Sequence, residues 1–173
     1  MAIFPVVKYL DPVLLRPTEE VKSIGERERI LVRDMIDTMY AEKGVGLAAN
    51  QIGFSSRVFV ALPEEKAKPL AYFNPRIIRR SGEIREQEGC LSLPGHYEKV
   101  KRFRKATLAA LTIDGKHVEI EADGLLARIF QHETDHLDGL LYIHRLSFLK
   151  RRKIMKTLKG PDPKATARAG RLE

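Results

Sequence analysis

Apolar residues recur along this chain in two rhythms that alternate with position. Over residues 24–41 they return every three to four places, and Ile24, Leu31, Met35 and Met39 fall near one face of a helix. Ser23-Ile24-Gly25-Glu26 reads as a capping box at its start, and Gly44 is expected to stop it. Residues 44–53 are rich in glycine and alanine and predict a tight loop where backbone can approach a ligand. Short β-type runs follow at 57–61, 71–73 and 76–78. Runs at 107–113 and 117–121 flank Asp114-Gly115, a hairpin signal. The helical rhythm returns over 123–139, with Leu125, Ile129, His132 and His136 along one face and Gly139 at the stop. A last helix is expected over 146–159, with Leu146, Leu149, Ile154 and Leu158 packing inward. Gly160-Pro161-Asp162-Pro163 should end it and leave a disordered tail. Prolines at 5, 12 and 17 make the first 22 residues irregular. Strands first and a central helix later predict an α+β fold.

The helix over 123–139 carries the chemistry. His132-Glu133-Thr134-Asp135-His136 places two imidazoles at i and i+4, on one helical face, where both can grip a single metal ion. Glu133 then lies close enough to act on a water at that metal. A surface helix bearing two histidines has the same spelling, so the motif needs a third ligand. Extension to H-E-x-x-H-x-x-G-x-x-H holds through Gly139 and fails at Tyr142. No Glu lies between Glu133 and Glu173, and His144, at the helix end, reads as a cap or a solvent-facing residue. The remaining strong donor is Cys90, in Glu88-Gly89-Cys90-Leu91-Ser92-Leu93-Pro94. Its competing role is a nucleophile with a histidine as base.

Composition narrows the setting. A chain of 173 residues with 43% hydrophobic residues can bury a core as one domain. One cysteine excludes an intrachain disulfide and fits a reducing compartment. No apolar run of spanning length and no signal or transit segment is present, so a cytoplasmic location is expected. The net charge of +8 sits entirely at the end of the chain. Residues 144–173 hold ten Lys/Arg against Asp162 and Glu173, while residues 1–143 balance 21 against 21. Such a basic appendage attracts polyanions, RNA foremost; it also reads as a solvated tail.

Three segments together resemble the peptide deformylases. Gly44-Val45-Gly46-Leu47-Ala48-Ala49-Asn50-Gln51 fits that family's G-x-G-x-A-A-x-Q. Glu88-Gly89-Cys90-Leu91-Ser92 fits its E-G-C-L-S, and the stretch from Gln131 to Gly139 fits its Q-H-E-x-D-H-L-x-G. The order and spacing match over about residues 4–150, and the basic C-terminal helix looks like the bacterial type 1 form. Asn50 stands where proline is common in the family, and Leu93 where valine is frequent.

The resemblance implies antiparallel β-sheets around a central metal-binding helix, followed by a C-terminal helix. It divides the chain into a catalytic domain over 1–147 and a basic helix with a flexible tail over 148–173. It implies removal of the formyl group from N-terminal formylmethionine of new proteins, with release of formate. Cys90, His132 and His136 would hold Fe(II), with Zn, Ni or Co as substitutes. Glu133 would carry the proton, and Gln51 with the Leu91 backbone N–H would meet the developing oxyanion. Val45, Leu125 and Ile129 would line the methionine pocket, and Gly46 and Glu88 would bind substrate backbone. Asp135 and Gln131 would orient ligands, or Asp135 would pair with Arg102 or Arg104. The partners implied are formylmethionyl nascent peptides and, through the basic helix, the ribosome; no membrane is involved and a monomer is expected. Two rivals remain from the residues alone: another Cys/His metallopeptidase, and a structural metal domain that binds RNA.

Overall fold

The computed structural model describes residues 2–64 and 67–158. Its elements in chain order are α1 (Glu26–Ala41), β1 (Gly46–Ala48), β2 (Val58–Ala61), β3 (Leu70–Ser81), β4 (Ile84–Cys90), β5 (Leu93–Arg102), β6 (Lys105–Leu111), β7 (His117–Asp123), α2 (Gly124–Leu137) and α3 (Phe148–Leu158). One antiparallel sheet runs in the order β1-β2-β3-β6-β7, and β4-β5 forms a separate antiparallel pair. The α+β architecture expected from the sequence is the one observed.

Helix α2 is central, with nine of its 14 residues buried. Ala127, Ile129, Phe130 and Leu137 pack with Phe59, Tyr72 and Leu108 of the large sheet. Gln131, Glu133, Thr134, Asp135 and His136 are buried on the same helix. Burying that many polar groups is costly unless each finds a partner or a task. Helix α1 covers Leu47, Val58, Val60 and Phe73 through Met35 and Met39. A third cluster joins Leu93 and Val100 of β5 to Leu141, Tyr142, Ile143 and Ile154 of α3.

Several local expectations shift. The cap of α1 is two residues later than the Ser23 box: the Gly25 N–H donates to the Glu28 carboxylate at 2.9 Å. The helix ends at Ala41, and Lys43, at φ 56°, makes the left-handed turn expected of Gly44. The predicted loop 44–53 contains edge strand β1 and a 3-10 turn, Ala49–Ile52. The runs at 71–73 and 76–78 are one strand, β3, interrupted by a bulge at Asn74-Pro75. Asn74 adopts φ 48° and ties its side-chain amide to the backbone of Val21. The hairpin at Asp114-Gly115 joins β6 to β7 as expected. In α3, Ile154 is buried as expected but Leu149 is 75% exposed, with Phe148 beside it at 74%. The expected stop at 160–163 and the tail to Glu173 lie outside the described residues. Among the described residues no helix is long and apolar enough to cross a membrane.

Candidate metal centre

Two elements bring the three donor atoms together. Consecutive turns of α2 carry His132 and His136, and the last residue of β4 is Cys90. Cys90 Sγ lies 3.2 Å from His136 Nε2, which lies 3.2 Å from His132 Nε2. All three donor atoms fall within 4.8 Å of one another. Ligands held about 2.0–2.3 Å from a shared ion are separated by roughly this much, so the set fits a divalent metal. Among the described residues this is the one such cluster. His144 caps the Leu141 N–H instead, at 2.9 Å, so the site keeps the three-ligand form of a reactive centre rather than the closed form of a structural one. The electrostatics agree. Burial would lower the His132 pKa, but Cys90, Glu88 and Glu133 overcome it, so the groups around that ring favour a cation there, and a metal would bind in place of the proton. His136 is driven the other way, by burial first and then by His132 and Arg102, and stays neutral as a ligand must.

A buried ion-pair network sits behind the ligands. Glu88 accepts from Arg102 at 3.0 and 3.1 Å and lies 3.2 Å from His132 Nδ1, the ring nitrogen facing away from the other donors. Burial pushes Glu88 upward, yet the hydrogen bonds of His132 and Arg102 outweigh it and hold its pKa at about 2. Arg102 also donates to Asp135, the partnership that the sequence left open with Arg104. Asp135 takes a second guanidinium, Arg145, at 2.6 and 3.2 Å. Arg104 pairs with Asp123 at the surface. The Gln131 amide bonds to no ligand side chain: it grips both backbone groups of Phe103 and the Ala127 carbonyl.

The ligands open onto a cavity of about 600 Å³ between the edge strands β1 and β4. Val45, Gly46, Gln51, Glu88, Leu91, Leu125, Ile129 and Glu133 all reach its wall, so the sequence-predicted site is one place. Ile129 is buried at its base, whereas Leu125 is 59% exposed at its mouth. Glu133 is fully enclosed, and burial raises its pKa to about 7. Its Oε2 has no hydrogen-bond partner. Gly46 must lack a side chain because a Cβ there would meet Glu133 Oε1 at 2.5 Å. Gly89 is held likewise under the Tyr97 ring. Gln51 Oε1 accepts from the Ala48 N–H at 2.9 Å, which leaves its amino group facing Cys90 Sγ at 3.6 Å and Ser92 Oγ at 3.3 Å. Asn50, on the far side of that turn, donates to the His136 carbonyl at 2.6 Å and ties the glycine-rich segment to the metal helix.

Comparison with known proteins decides between the deformylase reading and its rivals. The family model described as polypeptide deformylase matches residues 3–152. The chain belongs to the polypeptide deformylase family. The peptide deformylase of Acidobacterium capsulatum is 48% identical over 162 residues, covering 92% of this chain and 95% of its own. That of Neisseria gonorrhoeae is 42% identical, covering 92% and 96%. The crystal structure of a peptide deformylase from Legionella pneumophila superposes with a TM-score of 0.88 at 39% identity, over 99% of this chain and 100% of that one. Deformylases are metal-dependent hydrolases that remove the N-formyl group from nascent peptides, and this chain is an enzyme of that kind.

Proposed function

We propose that this deformylase works with Fe(II) held by Cys90, His132 and His136, with Zn, Ni or Co as substitutes, and that Glu133, Gln51 and Leu91 carry the reaction. The observation behind this is the enclosed Glu133 carboxylate, with an unpartnered oxygen, beside a three-donor cluster at the base of an open cavity. A thiolate with two imidazoles suits borderline divalent ions, and such an ion supplies a Lewis acid that makes water nucleophilic near neutral pH. Glu133 takes the proton from the attacking water; a pKa near 7 suits both taking it and returning it to the departing amine. As oxygen bonds to the formyl carbon, the formyl oxygen gains charge. The Gln51 amino group and the Leu91 N–H then donate to it. The C–N bond breaks, giving formate and a free amine.

β1 and β4 are both unpaired on the side facing the cavity, so an extended peptide can hydrogen-bond to their backbones as an added strand. Val45, Leu125 and Ile129 give the methionine side chain an apolar wall. Gly46 and Glu88 contribute backbone along the same edges. The test is formate release from a formyl-Met tripeptide by enzyme purified without oxygen and loaded with Fe(II) or Zn(II). Rapid release that stops on chelation and returns with Fe(II) is expected. Peptide-bond cleavage without formate would sink the proposal.

We further propose that residues 1–147 form the catalytic domain and that the basic segment over 148–173 engages ribosomal RNA in the cytoplasm. Lys150, Arg151, Arg152, Lys153 and Lys156 crowd α3. Because Ile154 is buried against β5, the clean variant changes charge and leaves the helix in place. Replacing Arg152, Lys153 and Lys156 with Gln should weaken ribosome co-sedimentation several-fold and flatten its salt dependence. Unchanged binding would end the idea. The working unit is expected to be a monomer, and a sedimentation mass twice that of the chain would contradict it.

A further inference from the structure

Residues 7–9 cross the two turns that carry the proposed oxyanion donors. The Val7 N–H donates to the backbone carbonyl of Gln51 at 2.7 Å, and the Tyr9 N–H to that of Ser92 at 3.0 Å. Between them the Lys8 ammonium donates to the Leu91 carbonyl at 3.0 Å. The turns they join belong to different sheets: Gln51 follows β1 of the large sheet, and Leu91 and Ser92 make the bend of the β4-β5 pair. The side-chain contacts that span the same gap, from Gln51 Nε2 to Ser92 and Cys90, occupy the amino group the reaction needs. The hydrogen bonds across the gap that survive substrate binding are therefore those from residues 7–9, beside the packing of the Leu91 side chain on the Leu47, Ala49 and Ile52 cluster. That segment is itself anchored, since the Ala2 and Phe4 N–H groups donate to Asp34 and Thr38 of α1 and Val6 is buried.

We infer that residues 7–9 clamp the Gln51 and Leu91 turns at the spacing the oxyanion requires, and that Lys8 is a positioning residue of the deformylation reaction. The inference rests on the reading of Gln51 and Leu91 as oxyanion donors. Its physical basis is that preorganised donors work only in place, and a shift of about 1 Å costs on the order of 100-fold in rate. Lys8 is exposed, but its charged donor on the Leu91 carbonyl is stronger than a neutral one in the same place and adds to the two backbone bonds on either side.

Lys8→Met keeps the stem and removes the ammonium. Its kcat should fall about tenfold, with KM and melting temperature nearly unchanged. Binding of a peptide aldehyde, whose hydrate imitates the tetrahedral form, should weaken by the same factor. Lys8→Arg should restore most of both. Gln51→Ala should lower kcat by about 100-fold or more, and the Lys8→Met effect should shrink on that background, since the two act through one arrangement. If Gln51→Ala leaves kcat intact, the donor reading fails. If Gln51→Ala is slow while Lys8→Met matches the wild type, the clamp fails alone. A rise in KM with unchanged kcat would make Lys8 a substrate contact and overturn the inference. So would a Lys8→Met protein that loses its fold and, as Lys8→Arg, regains fold but not rate.

Discussion

Glu133→Gln is expected to lower kcat for formate release by about 10²- to 10⁴-fold, the usual worth of a positioned general base. Glutamine fills the same space against Gly46, where the fit leaves no room for a Cβ, so the cavity wall is preserved. It offers an amide where the reaction needs an acceptor for a proton. Metal content should match the wild type, because the three donors are Cys90, His132 and His136. KM should move little, since the proposed role of Glu133 is proton transfer at the formyl group and not contact along the peptide. The fold should hold or gain slightly, because the variant removes a buried carboxylate with one unpartnered oxygen. Steady-state kinetics with formate detection, a metal assay and a thermal melt check all four points. Retention of more than a tenth of kcat would remove Glu133 from the proton path.

The sequence announced this centre more clearly than it announced the fold around it. His132, Glu133 and His136 carry fixed spacing on one helix, and helical periodicity is local, so both motif and helix were legible. The β4-β5 pair was not. Its residues are mostly polar and exposed, with only Leu93 and Val100 fully buried, so no alternation marks it. The long strand β3 read as two because Asn74-Pro75 breaks the pattern where the bulge lies. Pairings between distant residues were equally silent. Asn50 gave no hint of its hydrogen bond to the His136 carbonyl, 86 positions away. The partnership of Arg102 with Glu88 could be read only after β4 and β5 were known to be neighbours, since the register then places both on one pair of strands.

Arg102→Met is the change expected to hurt stability most. Arg102 is buried between two buried carboxylates, Glu88 and Asp135. Removing the shared cation leaves charge without its main partner, which typically costs about 3–5 kcal/mol. The low end applies here, because Glu88 keeps His132 at 3.2 Å and Arg128 at 3.7 Å, and Asp135 keeps Arg145 at 2.6 Å. For a chain of this size about 3 kcal/mol lowers the melting temperature by roughly 6–12 °C. Metal affinity should fall about 10- to 100-fold as well, since Glu88 orients His132 and outer partners of metal ligands carry that much. The pH dependence separates this account from a simple packing defect. In the wild type, Glu88 is held at about 2, below its ordinary 4.5, so its contribution is complete above pH 4.5 and is lost as pH falls toward 2. Without Arg102 the carboxyl sits higher and contributes less. The stability gap between the two proteins should therefore be widest above pH 5 and narrow steadily toward pH 3. Denaturant melts across that range, run on the apoprotein to remove the metal's own linkage, measure it. A gap that stays constant with pH would assign the loss to packing of the Arg102 stem and leave the Glu88 charge out of the stability of this fold.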